Sequence, residues 1–372
     1  MKIGILSLYH KNHNYGGQLQ AYALCEYLNA LKNVDAEQIN FAYKKRLHPW
    51  SRAFLCRTAL KVLHPMVQAN LRRRKQRFCA FENAIPHSIV LNANALPAAS
   101  EQYDFVFAGS DQVWNLSYSV PAFFLGFLPP EKRCSCAASF GKDVLTQEEY
   151  KFLPILREYR FLSVREESAK KFLEENGVNN VRILCDPTLL LPQDFWKEKI
   201  EFVDPLVQGK YIFVYLLGEN AALRKEIRRK SSETGLPIVL IPHIHGVYQK
   251  CDVGFADCEP YEVGPREFLR LIYDAEFVIT DSFHCTVFSL LFEKEFWTLP
   301  RSSKTTAPTN NRVETLLKVA HVENRFVPTA DQIDFSAKID SQKYMEYLEQ
   351  YSQLSQKTIS EFIQQNQPYE DE

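Results

Sequence analysis

Residues 277–299 read FVITDSFHCTVFSLLFEKEFWTL, and this stretch decides the fold class. Its apolar start at 277–280 predicts a buried strand, Cys285–Phe292 has the apolar spacing of a helix, and Phe296–Leu299 predicts a second strand. Strands that alternate with helices form parallel sheets covered on both faces. Ligands of such sheets bind beyond the carboxyl ends of the strands, which directs attention to the TDSFH sequence at 280–284.

The same alternation continues through nearly the whole chain in two series. The first begins with an apolar strand at Lys2–Leu8, followed by a polar loop at Tyr9–Gly17 that ends in two glycines and leads into a helix. A break near residues 190–210 precedes the second series, whose first strand is Tyr211–Leu217. We therefore predict an α/β protein with two doubly wound (Rossmann-like) domains facing a cleft.

The domain boundaries follow from this break and from the chain length. A chain of 372 residues fits two domains, because single cores stop growing beyond roughly 250–300 residues. We predict an N-terminal domain at 1–195 with a basic helical insertion at 44–95, and a C-terminal domain at 196–335. Residues 336–372 are predicted to form a C-terminal helix, which covers 341–365, and a frayed acidic tail.

Composition excludes several classes of protein. Hydrophobic residues make up 46% and charged residues 24%, which excludes a largely disordered or collagen-like chain. No apolar run is long enough for a transmembrane helix, and the short apolar N-terminus is interpreted as a first strand rather than a signal peptide. The nine cysteines include no CxxC pair, so neither a zinc site nor a disulfide framework is expected. A cytoplasmic location fits these features.

The basic charge is concentrated in one segment. Eleven Lys or Arg and no Asp or Glu lie between Lys44 and Arg77, although the net charge is only −1. One interpretation is a solvated helical face, or a surface that pairs with acidic residues elsewhere in the fold. The other is a patch at 44–77 that contacts an anionic membrane or a phosphorylated substrate, since apolar residues alternate with the charges. Nucleic acid is not expected, because no recognition-module signature accompanies the patch.

Polar sequence of unusual composition follows five predicted strands. These loops are HKNHNYGGQLQ (10–20), GSDQVWN (109–115), SFGK (139–142), SVRE (163–166) and TDSFHCT (280–286). Taken singly, Trp114 could fill a hydrophobic gap, Arg165 could be a surface residue in a first helical turn, and His284 could be a satisfied histidine beside a helix cap. Together at the expected ligand edge, these side chains indicate a binding site.

His284 is the most informative of these residues. Ser282 or Asp281 can cap the following helix, which places His284 in its first turn. Free backbone N–H groups and the helix dipole favour an anion there and disfavour an imidazolium. A neutral imidazole beside a bound phosphate can carry a proton. The planar fork of Arg165 matches a carboxylate or phosphate, whereas GxxxxGK[ST] and GxGxxG sequences for ATP or NAD are absent.

The motifs that carry a family resemblance occur in order along about residues 3–325. They are NYGGQLQAYAL (14–24), FVFAGSDQVWN (105–115), AASFG (137–141), SVREESA (163–169), DPTLLL (186–191), VITDSFHCTVFSLLFEK (278–294) and NRVETLL (311–317). With these motifs the sequence resembles the polysaccharide pyruvyl transferase family. The resemblance implies a GT-B-like fold and transfer of pyruvate from phosphoenolpyruvate onto two hydroxyls of a sugar. The expected product is a cyclic ketal on galactose in a surface polysaccharide or its lipid-linked precursor, formed without a cofactor or metal.

The resemblance also implies roles for the strand-end residues. His284 is expected to be the acid and base, Arg165 to bind the donor anion, and Asp111 to orient an acceptor hydroxyl. The N-terminal domain is expected to hold the acceptor, with Trp114 and Tyr15 stacked on the sugar, and the C-terminal domain to hold the donor. The full set of expected substrate-binding residues is Asn14, Tyr15, Gly16, Gln18, Ser110, Gln112, Trp114, Asn115, Ser139, Lys142, Asp281, Ser282 and Arg312.

Two positions depart from the family pattern. Many members have an Arg two residues before the motif His, where this chain has Ser282, and Cys285 replaces a common Gly after the His. Arg165, Lys142 and Arg312 are the candidates to supply the missing positive charge. Two alternatives stay open at this point: a GT-B glycosyltransferase that uses a nucleotide sugar, and a non-catalytic glycan-binding protein of the same fold. The basic segment 44–77 would give peripheral contact with the inner face of a membrane.

Overall fold

The computed structural model describes residues 1–43, 65–142, 145–242, 250–301 and 311–367. The strands are β1 (Lys2–Leu6), β2 (Asp35–Gln38), β3 (Phe105–Ala108), β4 (Arg133–Ser135), β5 (Ser163–Val164), β6 (Arg182–Ile183), β7 (Ile212–Tyr215), β8 (Ile238–Leu240), β9 (Phe277–Thr280) and β10 (Glu295–Thr298). The helices are α1 (Tyr15–Asn29), α2 (Pro65–Glu82), α3 (Leu96–Ala99), α4 (Gln147–Tyr150), α5 (Leu153–Leu156), α6 (Glu167–Glu175), α7 (Gln193–Ile200), α8 (Ala221–Ser231), α9 (Pro265–Asp274), α10 (Phe283–Leu291), α11 (Asn311–Val319) and α12 (Ser341–Gln365). Five short 3-10 helices complete the described secondary structure: Pro121–Phe124, Pro130–Lys132, Pro187–Leu189, Glu323–Arg325 and Ala330–Gln332.

The chain folds into two compact units. Unit 1 comprises Met1–Tyr43, Glu82–Pro192 and Met345–Glu372, and unit 2 comprises Lys44–Phe81 and Gln193–Tyr344. The division after Pro192 lies three residues before the boundary predicted at 195.

Two other predicted assignments are corrected by these units. Helix α2 lies in the segment predicted as an insertion of the N-terminal domain, yet all but its last residue belongs to unit 2. Its arginines explain this, because Arg73 and Arg77 pair with Glu262 and Glu267 of unit 2. The C-terminal segment is not separate either, since its residues from Met345 onward belong to unit 1.

The C-terminal helix α12 spans Ser341–Gln365, as the sequence predicts. Within unit 1, the Ser355 hydroxyl accepts the Cys185 backbone N–H at 3.0 Å. The ring of Phe362 packs on Phe161 with the ring centroids 4.6 Å apart. The part of α12 from Met345 onward therefore packs into unit 1. The predicted frayed acidic tail at 368–372 lies outside the described residues.

Unit 1 is built on a fully parallel sheet. Four strands lie in the order β2-β1-β3-β4, with Ile3 opposite Phe105 in the central pair. Parallel bridges from Cys134 to Phe161 and from Ala138 to Val164 continue the sheet to the pair β5-β6. The chain turns to one side of β1 for β2 and to the other side for β3. The switch point of this doubly wound sheet therefore lies between β1 and β3, where ligands of such folds bind.

Unit 2 repeats the same topology in the order β10-β9-β7-β8, again fully parallel. The switch point lies between β7 and β9, whose last residues Tyr215 and Thr280 are in register. Both central strands are buried along their whole length, as expected for a sheet covered on two faces. Helix α10 starts at Phe283, two residues before the predicted start, and is buried on all sides. None of the described helices is both long and apolar enough to span a membrane.

Candidate functional site

The loop after β9 begins the candidate site in unit 2. The Ser282 hydroxyl caps α10 by accepting the Cys285 N–H at 3.5 Å, which confirms the predicted cap and places His284 in the first turn. The two carboxylate oxygens of Asp281 accept the N–H groups of Leu217 and Gly218 at 2.7 and 2.8 Å. Asp281 therefore holds together the two loops that border the switch point, and the structure gives this predicted substrate-binding side chain a scaffolding role.

Asp281 occupies an unusual electrostatic position. Its burial raises the pKa of the carboxyl above its ordinary value, although Arg301 and the two backbone N–H groups oppose this. Burial outweighs these opposing interactions because the Asp281 side chain has almost no exposure to solvent. The loop geometry around His284 thus depends on a carboxylate that is fixed by several donors at once.

His284 and Arg312 both lie against one aromatic ring, that of Phe283. The imidazole contacts the Phe283 ring edge-to-face with the centroids 5.1 Å apart, and His284 is 7% exposed. The Arg312 guanidinium lies over the same Phe283 ring, 6.0 Å from its centroid. Arg312 is in the first turn of α11 and is also buried. Sequence reasoning predicted both residues, and the structure places them in one cluster.

Arg301 belongs to the same cluster and is missing from the sequence prediction. Its guanidinium donates to the Asp281 carbonyl at 3.0 Å, and Nε lies 3.9 Å from the Asp281 carboxylate. Arg301 follows β10, which pairs with β9, so the strand-end rule that selected His284 could also have selected Arg301. Among the described residues, two guanidinium groups and one carboxylate lie at this edge of unit 2 beside a helix N-terminus, and this arrangement favours an anion.

The corresponding edge of unit 1 is acidic. Arg165 lies 2.5 Å from Asp186, 3.2 Å from Glu166 and 3.9 Å from Asp111, and all four side chains are buried. Burial lowers the pKa of the guanidinium, but the three carboxylates more than offset this and raise it above its ordinary value. Arg165 is therefore a cation fixed by three carboxylates within unit 1. These carboxylates disfavour a further anion, so Arg165 as a donor ligand stays a prediction that its surroundings do not support.

The loop after β3 supplies Asp111 in a left-handed conformation, with φ at 62°. Such backbone geometry is uncommon outside glycine, although Asp tolerates it better than most residues. The preceding Gly109 is required by close packing, because an added Cβ would lie 2.1 Å from the Ser7 hydroxyl of the loop after β1. The two loops at the switch point of unit 1 therefore approach each other closely, and Asp111 stays the predicted acceptor-orienting residue.

The two predicted serines are part of the acidic network. The Ser110 hydroxyl is 2.9 Å from the Ala137 carbonyl and 3.3 Å from Asp186. The Ser139 hydroxyl donates to Glu166 at 2.7 Å. Both side chains are buried and hold the network in place, so the structure does not support them as substrate ligands.

Trp114 fills the hydrophobic core of unit 1. It is fully buried, its ring stacks on Phe124 with the centroids 5.9 Å apart, and its indole N–H donates to the Phe123 carbonyl at 3.2 Å. The prediction that Trp114 stacks on a sugar is wrong, because no face of the ring is accessible. The gap-filling interpretation was the correct one.

The other residues predicted near this loop pair with each other or with neighbours. The Asn115 amide donates to the Gln112 side chain at 3.0 Å and stabilises the turn. The Lys142 ammonium lies 2.5 Å from the buried Glu149 carboxylate, so this cation is also balanced locally. Lys142 as a donor cation stays a prediction, and its pairing with Glu149 does not support it.

The loop after β1 is held by its own polar side chains. Asn14 caps α1 by accepting the Gly17 N–H at 3.2 Å, and the Gln18 amide donates to the Tyr9 carbonyl at 3.1 Å. Tyr15 and Gly16 are buried in the first turn of α1. These four predicted substrate-binding residues shape the loop. Sequence reasoning missed a buried pair at the same place, His10 with Glu82, whose Nδ1 and Oε1 atoms are 2.8 Å apart.

The basic segment is described only from residue 65 onward, so Lys44 and the other masked part of 44–77 lie outside the described residues. Arg73 is 2.5 Å from Glu262, Arg77 pairs with Glu267, and Arg74 donates to the Pro242 carbonyl at 3.3 Å. The described arginines thus support the interpretation of a surface that pairs with acidic residues of the fold. Membrane contact through 44–77 stays a prediction.

Comparison with known families identifies the chain. The polysaccharide pyruvyl transferase model matches residues 14–303, which include the loops after β3 and β9 and the His284 cluster. The chain belongs to the polysaccharide pyruvyl transferase family. This assigns it to the transferases and confirms the resemblance that its motifs indicate. No curated protein sequence matches the chain significantly.

Solved structures confirm the GT-B-like fold. UDP-GlcNAc 2-epimerase from Neisseria meningitidis, bound to UDP-GlcNAc, has 13% identity and a TM-score of 0.55, with 98% of this chain and 100% of that chain covered. The UDP-GlcNAc 2-epimerase from Rickettsia bellii has 11% identity and a TM-score of 0.53, with coverages of 98% and 96%. The Methanocaldococcus jannaschii enzyme, in complex with UDP-GlcNAc and UDP, has 15% identity and a TM-score of 0.51, with coverages of 95% and 93%. At these identities the likeness concerns the fold alone.

Proposed function

We propose that this transferase moves pyruvate from phosphoenolpyruvate onto two hydroxyls of a sugar, with galactose as the first acceptor to test, and forms a cyclic ketal. The observation that carries the proposal is the His284 cluster, in which a buried imidazole and two guanidinium groups surround a helix N-terminus. Phosphoenolpyruvate carries a carboxylate and a phosphate, and guanidinium groups bind both through charge-assisted hydrogen bonds. Unit 2 is thus the donor-binding unit.

Arg301 and Arg312 take the place of the arginine that many family members carry at the position of Ser282. Arg301 is fixed by the Asp281 carbonyl beside the cap residue, and Arg312 is fixed over Phe283 beside His284. Both guanidinium groups are therefore oriented before the donor arrives, which lowers the entropy cost of binding. Arg301 and Arg312 replace Arg165 and Lys142 as the donor cations, since those two are balanced by carboxylates in unit 1.

The chemistry requires balanced proton transfers. The methylene carbon of the donor gains a proton, the central carbon forms two bonds to sugar oxygens, and the C–O bond to phosphate breaks. The two hydroxyls release two protons. One balances the proton that the methylene carbon gains, and the other leaves with phosphate. We assign the proton delivered to the methylene carbon to His284, because an imidazole can both donate and accept near neutral pH.

The acceptor side is assigned to unit 1, whose loops at the switch point carry carboxylates. We assign to Asp111 the hydrogen bond from a hydroxyl of the sugar, because a carboxylate only accepts hydrogen bonds and a hydroxyl can donate one. Its left-handed backbone, with φ at 62°, fixes its direction independently of the substrate. The family's reaction needs no metal in this proposal, because the guanidinium groups provide the positive charge.

The proposal is tested by incubating the full chain with phosphoenolpyruvate and a β-galactoside. The expected results are acceptor-dependent phosphate release and a product with the mass of the acceptor plus one pyruvate ketal. N-acetylmannosamine acceptors and lipid-linked galactosides form further arms of the same assay. Transfer from a UDP-sugar in place of phosphoenolpyruvate would instead establish a glycosyltransferase. No turnover with either donor class, despite binding of the glycan, would favour a binding protein.

A further inference from the structure

A buried histidine–carboxylate pair in unit 1 has no role in the proposed chemistry so far. His10 Nδ1 lies 2.8 Å from Glu82 Oε1, and the two residues are 5% and 8% exposed. Glu82 also accepts the Lys11 N–H at 3.1 Å and the Gln18 amide at 3.3 Å. Burial raises the pKa of this carboxyl, but the hydrogen bonds from His10, Lys11 and Gln18 hold it below its ordinary value. Glu82 is therefore ionised at neutral pH.

The ionised carboxylate determines the tautomer of His10. A carboxylate can only accept hydrogen bonds, so the Nδ1 atom that faces it must carry the proton. In the neutral ring the lone pair then resides on Nε2. This is the arrangement in which a carboxylate orients an imidazole to act as a base.

The Nε2 atom of His10 is buried and has no hydrogen-bond partner among the described residues. A buried polar atom left without a partner costs about 1–3 kcal/mol. A histidine with a purely structural role would be expected to use both ring nitrogens, whereas this ring uses only Nδ1. The one described aromatic contact of the ring, with Tyr9 edge-on at 6.5 Å between centroids, leaves Nε2 without a polar partner. These observations point to a ligand at Nε2.

The pair lies at the edge of unit 1 where ligands are expected. His10 is in the loop that follows β1, and β1 pairs with β3, whose following loop contains Asp111. The close approach of Gly109 to Ser7 shows that these two loops meet at the switch point. The charged groups facing the ring include the Glu82 carboxylate, while the Lys11 side chain is exposed to solvent.

We propose that His10 is the base that takes the proton from the attacking acceptor hydroxyl, and that Glu82 is the residue that positions it. This inference rests on the proposed function. The hydroxyl oxygen forms its bond to the central donor carbon, the electron pair of the O–H bond stays on oxygen, and the proton moves to Nε2. That proton later leaves with the departing phosphate. Because Nε2 is buried, bulk water does not reach the base. The acceptor hydroxyl reaches Nε2 only when neighbouring atoms of unit 1 move aside.

The test compares the wild-type chain with His10→Gln, Glu82→Gln and the matched control His13→Gln, which alters an exposed histidine of the same loop. Each variant is assayed for kcat with phosphoenolpyruvate and a β-galactoside, for phosphoenolpyruvate binding by calorimetry, and for melting temperature. His10→Gln should lower kcat about 10²–10⁴-fold, as expected for a lost general base, and leave the donor Kd unchanged. His13→Gln should match the wild type.

Glu82→Gln keeps an acceptor oxygen for Nδ1 but removes the negative charge. It should lower kcat while the donor Kd stays at the wild-type value, because an amide can accept or donate and so no longer fixes the proton on Nδ1 of His10. A purely structural role would lower the melting temperature without this split between kcat and donor Kd. Nitrogen-15 spectra of the histidine rings in the wild-type chain should show His10 protonated at Nδ1 when neutral.

The outcomes separate the inference from the proposed function. If the wild type releases no phosphate with any acceptor, the proposed function fails and the inference fails with it. If the wild type is active and His10→Gln keeps the wild-type kcat, only the inference fails. Equal losses of donor affinity and melting temperature that account for the drop in kcat would also overturn it, as would a neutral His10 protonated at Nε2. If His10→Gln does not fold, Glu82→Gln decides: a lower kcat with an unchanged donor Kd supports the inference, and a wild-type kcat overturns it.

Discussion

The two units share one topology and differ in the charge at their strand ends. At the switch point of unit 2, Arg301 and Arg312 outnumber the single buried Asp281. In unit 1, three carboxylates surround the single cation Arg165. The unit 1 cluster is buried, whereas the Arg301 side chain in unit 2 is 24% exposed. Apart from Arg312, which lies in α11, both clusters are built from residues that follow parallel strands. The same fold thus provides an edge suited to an anion in one unit and an edge suited to hydroxyl groups in the other.

This difference shows that an arginine near the end of a strand cannot be assigned to a ligand from its position in the sequence alone. Arg165 and Arg312 both looked like donor ligands in the sequence. The structure separates them, because Arg165 is balanced by carboxylates, whereas Arg312 lies over the uncharged Phe283 ring. Changes in unit 2 should therefore affect donor binding or chemistry, and changes to Arg165 should affect stability.

The largest effect is expected for His284→Ala. Loss of the general acid that protonates the methylene carbon lowers kcat about 10²–10⁴-fold, with the fold intact. Steady-state kinetics with phosphoenolpyruvate and a galactoside check this, and far-ultraviolet circular dichroism checks the fold. The matched control is His321→Asn, which changes an exposed histidine with φ at 53° to a residue that tolerates this geometry. Wild-type turnover in His284→Ala would remove His284 from the mechanism.

Arg165→Met should have the next largest effect, on stability. Removing the cation leaves three buried carboxylates without compensation, and breaking a buried pair in this way costs about 3–5 kcal/mol. Urea unfolding measures the loss, with the exposed Arg157→Met as the control in the same unit. The donor KM of the folded fraction should not change. A variant of normal stability with a greatly raised donor KM would restore Arg165 as a donor ligand.

Arg312→Gln tests whether the basic edge of unit 2 binds the donor. A lost hydrogen bond to a charged group is worth about 1.5–3 kcal/mol, so the donor KM should rise roughly 10–100-fold. Stability should change much less than in Arg165→Met, because no carboxylate of the cluster loses its only cation. Arg266→Gln, which changes an exposed arginine of α9, is the control. An unchanged donor KM would count against the basic edge as the donor site.

The smallest effect is expected for Ser282→Ala, which removes the cap of α10. Loss of such a cap costs about 1 kcal/mol, and Ser282→Gly should cost only a few tenths. Thermal unfolding of the two variants measures the difference. Equal stability of Ser282→Ala and the wild type would show that the 3.5 Å contact with the Cys285 N–H contributes little.

Sequence patterns were sufficient for the fold and for one half of the site. The strand Phe277–Thr280 and the long helix Ser341–Gln365 were predicted with the observed bounds, because burial and periodicity are strong in both. The strand predicted at Lys2–Leu8 is observed only at Lys2–Leu6, since Ser7 and Leu8 belong to the loop at the switch point. The position of His284 in the first turn of α10 could be predicted because Ser282 is a typical N-cap residue.

The remaining contacts could not be predicted because they join distant parts of the chain. Glu82 meets His10 across 72 positions, and Asp186 meets Arg165 across 21. Sequence spacing gives no information on such pairs, so Arg165 looked available for a ligand. Trp114 shows the same limit, since a motif that marks a family does not reveal which of its side chains point into the core.

The most direct test of the donor site is calorimetric binding of phosphoenolpyruvate to the full chain. Arg301→Gln combined with Arg312→Gln should abolish measurable binding, while Arg266→Gln should bind like the wild type. Folding of the double variant is verified by its melting temperature. Undiminished binding of phosphoenolpyruvate by the folded double variant would contradict the claim that the basic edge of unit 2 holds the donor.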